Sequence, residues 1–287
     1  VSRRAEVSRS QAQKMIDEHL VTVDGRPARK NRLLNPGEIV SWDLPERHDG
    51  ATRPEDLPLS IVHEDDHLVV VDKNADMVMY PGPGHDSGTL LNALLSRYPD
   101  IEGVGEEGRP GVFHRLDRGT SGLVAVARTV PAYQAMVEMM RSRSVTRAYR
   151  ALVTGSVPAQ AGTIDAPVAR SRKNRKKMAV DAHAGRPALS TFEVKERFPA
   201  GFTLVEVKLH TGRTHQIRVH FSHIGHPVAG DPVYSRGKAS RQLGLQRQFL
   251  HACRLAFEHP LTGEALDFAS ALPPDLEAVV ESLRERR

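Results

Sequence analysis

The sequence predicts an α+β protein in which helices and strands are mixed along one chain. Residues 202–209 (FTLVEVKL) alternate apolar and polar side chains, as half-buried strands do. Residues 89–98 (TLLNALLSRY) instead space their leucines along one face of an amphipathic helix. Residues 1–45 combine a short helical segment with two strand segments and two turns. We therefore expect a small N-terminal α/β module followed by a larger α+β domain.

Composition and charge narrow the class of protein. A length of 287 residues suits one full catalytic domain with a small accessory module. The net charge is +5 and the basic residues are clustered, which favours a polyanionic partner. The single cysteine, Cys253, excludes an intrachain disulfide framework and fits the cytoplasm. No apolar stretch reaches the length of a membrane helix, so no membrane association is expected.

The N-terminal module carries basic residues on several predicted elements. Residues 8–19 (SRSQAQKMIDEH) form a helix pattern whose polar face includes Arg9 and Lys14, and strands and turns follow to residue 42. One interpretation is a charged surface on a mini-domain. The pattern also resembles the ribosomal-protein-type (alpha-L) RNA-binding module, which implies contacts to RNA by Arg9 and Lys14. That module usually begins with a further helix, so we expect it to be truncated at its start.

The predicted domain boundaries follow from composition. The module spans residues 1–45, and residues 46–58 are a polar linker without periodicity. Residues 59–287 then form the larger domain.

The most informative stretch is residues 111–128, GVFHRLDRGTSGLVAVAR. One interpretation is a charged turn before a buried strand, and the residue types alone favour it slightly. The other is a catalytic carboxylate, Asp117, held by arginines at the mouth of a cleft. Arg115 and Arg118 adjoin Asp117, but neighbours in an extended chain alternate faces, so both can point to RNA instead.

The segment HRLDRGTSGL closely resembles the signature of the RluA family of RNA pseudouridine synthases. Further matches follow in the family's order at residues 147–149 (RAY), 211–218 (TGRTHQIR), 230–234 (GDPVY) and 249–252 (FLHA). They cover roughly residues 59–275, and the N-terminal module points to the RluD/RluC-like branch. The resemblance implies the pseudouridine synthase fold, a mixed and mostly antiparallel sheet with flanking helices around a central basic cleft.

The resemblance also implies a catalytic set and no cofactor. Asp117 is the nucleophile, which attacks either the ribose or the uracil ring. Tyr149 lies against the flipped base and acts in proton removal, and Arg218 forms the ion pair with Asp117. A guanidinium within about 4–6 Å helps to keep a carboxylate ionised. The target base must leave its stack, and His114 and Arg115 are candidates to fill the vacated space.

Other residues are predicted to contact RNA or the uracil. Residues 170–177 (RSRKNRKK) read either as a solvated loop or as a contact to the RNA backbone. Leu250 is expected to line the uracil pocket. The remaining candidate RNA contacts are Arg118, Arg147, Lys173, Lys176, Lys177, Arg213 and His215.

Two features depart from the simplest pattern. Tyr80 stands where the family has a histidine, so no catalytic role is assigned to it. Five histidines lie between His210 and His226, which suggests a metal site of the His220-x-x-His223 type. Because no cysteine accompanies them and Gly225 and a following proline break a ligand helix, no metal is predicted.

The sequence thus predicts a monomeric RNA pseudouridine synthase that acts on large-subunit ribosomal RNA. Transfer RNA is the alternative substrate. An RNA-binding or ribosome-assembly protein without activity is the alternative class. A protein that only binds RNA has no need of Asp117, Tyr149 and Arg218 together, which argues against that class.

Overall fold

The computed structural model describes residues 15–17, 19–30, 32–43, 52–82, 85–106, 108–172, 174, 177–235 and 243–285. The chain divides into two compact units, Val1–Ala51 and Thr52–Arg287. The division falls within the segment predicted to be a linker. No helix in these ranges is long and apolar enough to cross a membrane.

The N-terminal unit contains a small antiparallel sheet in the order β2-β1-β3. Its strands are β1 (Val21–Val23), β2 (Arg26–Pro27) and β3 (Val40–Trp42). Asp24 and Gly25 both have positive φ, which is the geometry of a two-residue turn between twisted strands. Residues 15–17 are helical, as predicted, whereas Arg9 and Lys14 lie outside the described residues.

The second unit is built on a nine-stranded sheet within the described residues. Its strands are β4 (Ile61–Glu64), β5 (Leu68–Lys73), β8 (Ser121–Ala127), β9 (Thr146–Thr154), β10 (Ala161–Asp165), β13 (Leu189–Phe198), β14 (Phe202–Leu209), β15 (Leu250–Glu258) and β16 (Ala265–Ala269). They run in the order β10-β13-β14-β9-β15-β8-β5-β4, and β16 pairs with β15. The β15–β8 pair is parallel and the other described pairs of this sheet are antiparallel, so the mixed, mostly antiparallel prediction is confirmed.

Within the described residues, four helices and two short hairpins complete the unit. The helices are α1 (Leu90–Arg97), α2 (Val130–Ser142), α3 (Gln216–His223) and α4 (Pro274–Glu285), with a 3-10 turn at Pro99–Ile101. The hairpins are β6 (Gly105–Glu106) with β7 (Arg109–Pro110), and β11 (Val168–Arg170) with β12 (Met178–Val180). Thr89 and Asn92 form a capping box at α1, which starts the predicted leucine-rich helix.

The segment 100–109 is rich in glycine and acidic residues, a composition that by itself predicts a mobile loop, but its described residues are ordered. It contains the β6–β7 hairpin, and Ile101 and Val104 are buried in the core. A side chain at Gly105 would collide with the Tyr133 ring of α2. The glycine- and acid-rich composition suggested mobility, but two apolar side chains anchor the segment.

The centre of the sheet depends on one close backbone approach. Gly122 of β8 has φ +110°, and a Cβ at this position would lie 2.3 Å from the carbonyl oxygen of Ala252 in β15. Only glycine therefore permits the parallel β8–β15 contact. This contact brings the segment that precedes β8, which contains Asp117, beside the middle strands of the sheet.

Candidate active site

Asp117, Tyr149 and Arg218 line one cleft of about 560 Å³ in the second unit. Asp117 and Arg218 are 101 residues apart in the sequence, yet Arg218 Nη1 donates a 3.2 Å hydrogen bond to Asp117 Oδ2. The Asp117 side chain is 15% exposed. The structure therefore brings the three predicted catalytic residues together at a carboxylate that a ligand can still reach.

Asp117 sits in a tight turn between β7 and β8. The Thr120 amide donates to the Asp117 carbonyl at 3.0 Å, and Gly119 has φ +79°. The Gly119 amide in turn donates to the carbonyl of Ala75. Gly119 and Thr120, which follow Asp117, therefore form a structural turn, whereas Ser121 and Gly122 already belong to β8.

Arg218 divides its guanidinium between two carboxylates. Its Nε and Nη2 donate to Asp231 at 2.7 and 2.9 Å, which leaves Nη1 for Asp117. The Arg218 side chain is only 4% exposed. Burial by itself would lower the pKa of Arg218. Hydrogen bonds and charge from Asp231, and then from Asp117, outweigh burial, so the pKa of Arg218 is raised. The arginine is therefore fixed and charged before any ligand arrives.

Asp231 is a site residue that the sequence did not predict. It lies in the matched element 230–234, to which no site role was assigned. Its carboxylate is completely buried and accepts hydrogen bonds from the Val233 and Tyr234 amides as well as from Arg218. The available signal was a Gly-Asp-Pro sequence, whose Asp can accept amides two and three residues on. That signal predicts a turn and says nothing about a distant arginine.

Tyr149 extends from β9, where its neighbours are Val207 of β14 and Ala252 of β15. Burial raises the pKa of Tyr149 to about 12, and the negative charge of Asp117 contributes further. The phenol is therefore neutral at physiological pH. It presents an aromatic wall with a single hydroxyl to the cleft.

His215 lies at the start of α3 with φ 57° and lines the same cleft. Its Nδ1 contacts the Tyr234 hydroxyl at 3.0 Å, and its Nε2 lies 4.0 Å from Asp117. Burial lowers the pKa of His215 although Asp117 favours the charged form. The ring is thus predominantly neutral at neutral pH, and Arg218 is the cation that pairs with Asp117.

Comparison with known proteins agrees with this arrangement. A family model described as RNA pseudouridylate synthase matches residues 67–223, and one described as S4 domain matches residues 1–40. Ribosomal large subunit pseudouridine synthase D of Pseudomonas aeruginosa is 43% identical over 98% of this chain and 89% of its own length. The chain belongs to the RNA pseudouridylate synthase family.

Further relatives support the membership. An uncharacterized RNA pseudouridine synthase of Bacillus subtilis, YlyB, is 42% identical over 97% of this chain and 90% of its own length. The solved structure of human RNA pseudouridylate synthase domain containing 1 has a TM-score of 0.61 at 30% identity, covering 79% of this chain and 95% of that chain. The predicted family, fold class and enzyme class, and the RNA-binding nature of the N-terminal module, are confirmed.

The turn that contains Asp117 is held by hydrogen bonds from two residues that the sequence did not predict for the site. Gln248 Nε2 donates to the Arg118 carbonyl at 2.7 Å and to Thr120 Oγ1 at 3.0 Å. Arg247 Nη1 donates to the Gly119 carbonyl at 3.0 Å. Both residues immediately precede the matched FLHA element, but their adjacency in sequence gave no sign of a contact to residues 118–120.

The other predicted residues of the central motif have different surroundings. His114 is buried, and its Nε2 accepts the Ala125 amide at 2.9 Å, so it forms part of the cleft wall and does not project to fill a vacated stack. Burial lowers the pKa of His114 to about 3. Arg115 is exposed in the cleft, where it lies over the Tyr80 ring and donates to its hydroxyl. Arg118 lies outside the cleft lining and contacts His85.

The basic loop is described only in part. Lys173 and Lys176 lie outside the described residues. Lys177, predicted to contact phosphate, instead donates to the Val233 carbonyl and lies 5.6 Å from the Tyr234 ring centroid. Its ammonium is used within the protein because the β11–β12 hairpin turns it towards that ring.

The remaining predicted contacts line the cleft. Arg213 donates to the Pro187 carbonyl from the loop before α3, and Leu250 is buried at the start of β15. Of the two histidines considered for a metal, His220 has other partners, since it contacts Ser190 Oγ and the Ala166 carbonyl. Within the described ranges, no group of three or more metal-ligating side chains is positioned to hold an ion.

Proposed function

We propose that this protein isomerises uridine to pseudouridine in large-subunit ribosomal RNA, with Asp117 as the nucleophile. The observation that carries the proposal is the linked Asp231–Arg218–Asp117 arrangement beside Tyr149 in one cleft. The ribosomal RNA substrate is supported by the names of relatives, ribosomal large subunit pseudouridine synthases D, that are 40–43% identical over 90–98% of this chain.

The chemistry requires a carboxylate that is ionised and well placed. The reaction breaks the N1–C1′ bond of uridine, turns the base, and forms a C5–C1′ bond while C5 loses its proton. Arg218 holds Asp117 through one Nη, so the second carboxylate oxygen is available to attack the target nucleotide. Asp231 anchors the other edge of the guanidinium, so that Arg218 keeps its position as charge on Asp117 changes.

Tyr149 provides the surface for the base. Its ring is buried in the wall of the cleft, and Leu250 lies near it on the adjacent strand β15. Because its pKa is about 12, the resting phenol is protonated. We propose that the ring packs against the flipped uracil and that the hydroxyl takes part in transferring the C5 proton.

The cleft walls favour a polyanion. Seven arginines line the cleft, namely Arg109, Arg115, Arg141, Arg143, Arg147, Arg213 and Arg218. Their charges attract the phosphate backbone without specifying its sequence. The S4 match in residues 1–40 supports a second RNA contact, to which we assign Arg9 and Lys14.

The experiment uses RNA labelled with tritium at uridine C5, because isomerisation releases that label. Large-subunit ribosomal RNA and transfer RNA are incubated separately with wild type, Asp117→Asn and Tyr149→Phe. We expect release from ribosomal RNA by wild type, none by Asp117→Asn, and at least tenfold slower release by Tyr149→Phe. Release from transfer RNA alone would reassign the substrate, and no release from either RNA would support the RNA-binding alternative.

The proposed setting is the cytoplasm, where ribosomal RNA is modified, and the proposed active form is the monomer. Light scattering of the purified protein at assay concentration tests the oligomeric state. A mass of twice 31.7 kDa would contradict the monomer.

A further inference from the structure

Arg147 is a buried arginine of the cleft that has almost no partner among the described residues. The residue is 7% exposed and lines the cleft, and no described residue forms a hydrogen bond with its Nε. Its Nη2 makes one long contact, 3.5 Å, to the Leu209 carbonyl. Across the described ranges no carboxylate forms an ion pair with Arg147. A guanidinium has five N–H donors, so most of this one's capacity is unused.

Such an arrangement is costly in the free protein. Removing a charged group from water is strongly unfavourable unless a partner compensates for it. Burial indeed lowers the pKa of Arg147. Arg218, by contrast, is equally buried but has two carboxylates. The unpaired charge of Arg147 therefore indicates an anionic partner that arrives from outside the protein.

The position of Arg147 indicates which anion. Arg147 and Tyr149 are two residues apart on β9, so both point to the same face of the sheet. The pKa of Tyr149 responds to both Arg147 and Asp117, so both charges lie near the phenol. A side chain at Gly212 would lie 3.0 Å from Arg147 Nη1, so the absence of a side chain there leaves room beside the guanidinium.

We propose that Arg147 binds one backbone phosphate next to the target uridine, on the face of the sheet that also carries Tyr149. The proposal rests on the proposed function, since it takes RNA as the ligand. A phosphodiester is the group of RNA that carries a full negative charge at neutral pH, and its oxygens match the planar guanidinium fork. Arg147 is then the binding residue that sets how deeply the flipped nucleotide enters the cleft.

The first test separates this role from a structural one. Arg147→Met keeps the length of the side chain and removes the buried charge. We expect a melting temperature equal to or above that of wild type, together with RNA affinity lower by about tenfold or more, as for a lost charge-assisted hydrogen bond. A residue that only supports the fold would show the reverse, a lower melting temperature with affinity unchanged.

The matched control is Arg254→Met in the same sheet. Arg254 is exposed and pairs with Asp267 at 2.9 and 2.6 Å, outside the cleft. We expect this variant to bind RNA as wild type does. If Arg147→Met fails to fold, Arg147→Lys keeps the charge and loses the fork, and it should show an intermediate affinity; affinity equal to wild type would overturn the proposal.

The second test locates the phosphate. Large-subunit ribosomal RNA is ethylated at about one phosphate per molecule, which neutralises that phosphate, and bound and free RNA are separated and mapped. We expect the wild-type bound fraction to lack ethylation at several phosphates near the modified uridine. At one of these positions, ethylation should still allow Arg147→Met to bind, whereas it should prevent binding by wild type and by Arg254→Met.

The two proposals fail in different ways. An identical ethylation pattern for wild type and Arg147→Met would overturn the phosphate site while tritium release still supports the enzyme. RNA binding without any tritium release would overturn the proposed enzymatic activity, while the ethylation pattern would still show whether Arg147 binds a phosphate.

Discussion

At the scale of single residues, the site is a chain of charges with graded burial. Asp231 is completely buried, Arg218 is nearly so, and Asp117 keeps an exposed edge. Burial strengthens electrostatic interactions because the effective dielectric constant falls. The innermost pair therefore acts as a fixed support, and the outermost carboxylate is left for chemistry.

This gradient leads to a prediction for Asp231→Asn. The substitution keeps the size but leaves Arg218 without its buried counter-charge, so the free energy of unfolding should fall by about 3 kcal/mol. The turnover number in tritium release should also fall, since Arg218 is no longer fixed. Urea denaturation and single-turnover assays measure the two effects. Asp267→Asn, which breaks an exposed pair with Arg254, is the control and should change unfolding by less than about 1 kcal/mol.

Lys73 provides a pH test at the same scale. It is 1% exposed, and its ammonium donates to the Asn74 and Met77 carbonyls. Burial lowers the pKa of Lys73 to about 7, whereas an unfolded lysine has a pKa of about 10.4. A neutral amine still has two N–H donors for the two carbonyls, so the deprotonated form satisfies both.

The direction in which stability changes with pH follows from the number of protons that Lys73 binds in the folded and unfolded states. Between pH 7 and about 10 the unfolded chain holds more protons at Lys73 than the folded protein, so stability rises with pH. The free energy of unfolding of wild type minus that of Lys73→Met should therefore increase by about 1 kcal/mol per pH unit from pH 7 to 9. Denaturation at three pH values measures it, and a flat difference would mean that Lys73 stays charged.

At the scale of elements, the helix α4 supports the turn that contains Asp117. Asp275 in the first turn of α4 accepts hydrogen bonds from Arg247 Nε and Nη2 at 2.7 and 2.9 Å. The Nη1 of the same arginine donates to the Gly119 carbonyl, two residues after Asp117. A helix far along the chain thus orients the guanidinium that holds the turn.

We expect Asp275→Asn to lower the turnover number about three- to tenfold with little change in RNA affinity. Asp275 is half exposed, so the fold should tolerate the change. In an Arg247→Lys background, Asp275→Asn should have no additional effect, because it acts through Arg247. Glu277→Gln removes an equal charge from the same turn and should leave the rate unchanged. Equal losses for both carboxylates would instead indicate a general effect on α4.

At the scale of the whole molecule, charge governs the encounter with RNA. The net charge is +5, and arginines line the cleft. Association with a polyanion releases counterions, so the affinity should fall steeply as salt rises. The basic loop at residues 170–177 adds to this field.

The corresponding prediction concerns the slope of log affinity against log salt concentration. Lys173→Gln with Lys176→Gln should reduce its magnitude by about 1.4 to 1.8, if each lysine neutralises one phosphate. Filter binding between about 50 and 200 mM salt measures it. Lys195→Gln, which loses an exposed lysine paired with Glu193, is the control. An unchanged slope in the double variant would show that the loop does not contact RNA.

Local patterns predicted much of the fold. Residues 202–209 are β14 in full, and the leucine-rich segment is α1, because alternation and helical spacing are properties of neighbouring residues. A mobile loop at residues 100–109 is the wrong prediction because it uses only the local pattern, which glycines dominate. The burial of Ile101 and Val104 depends instead on residues that are distant in the sequence.

The site divides along the same line. The sequence by itself determined the family and predicted Asp117, Tyr149 and Arg218 as the catalytic set. Only the tertiary structure decided that Arg218 is shared with Asp231, that Arg247 and Gln248 hold the Asp117 turn, and that no described carboxylate pairs with Arg147. The physical reason is that ion pairing and pKa depend on distance and desolvation, which arise only when strands separated in sequence become neighbours in the sheet.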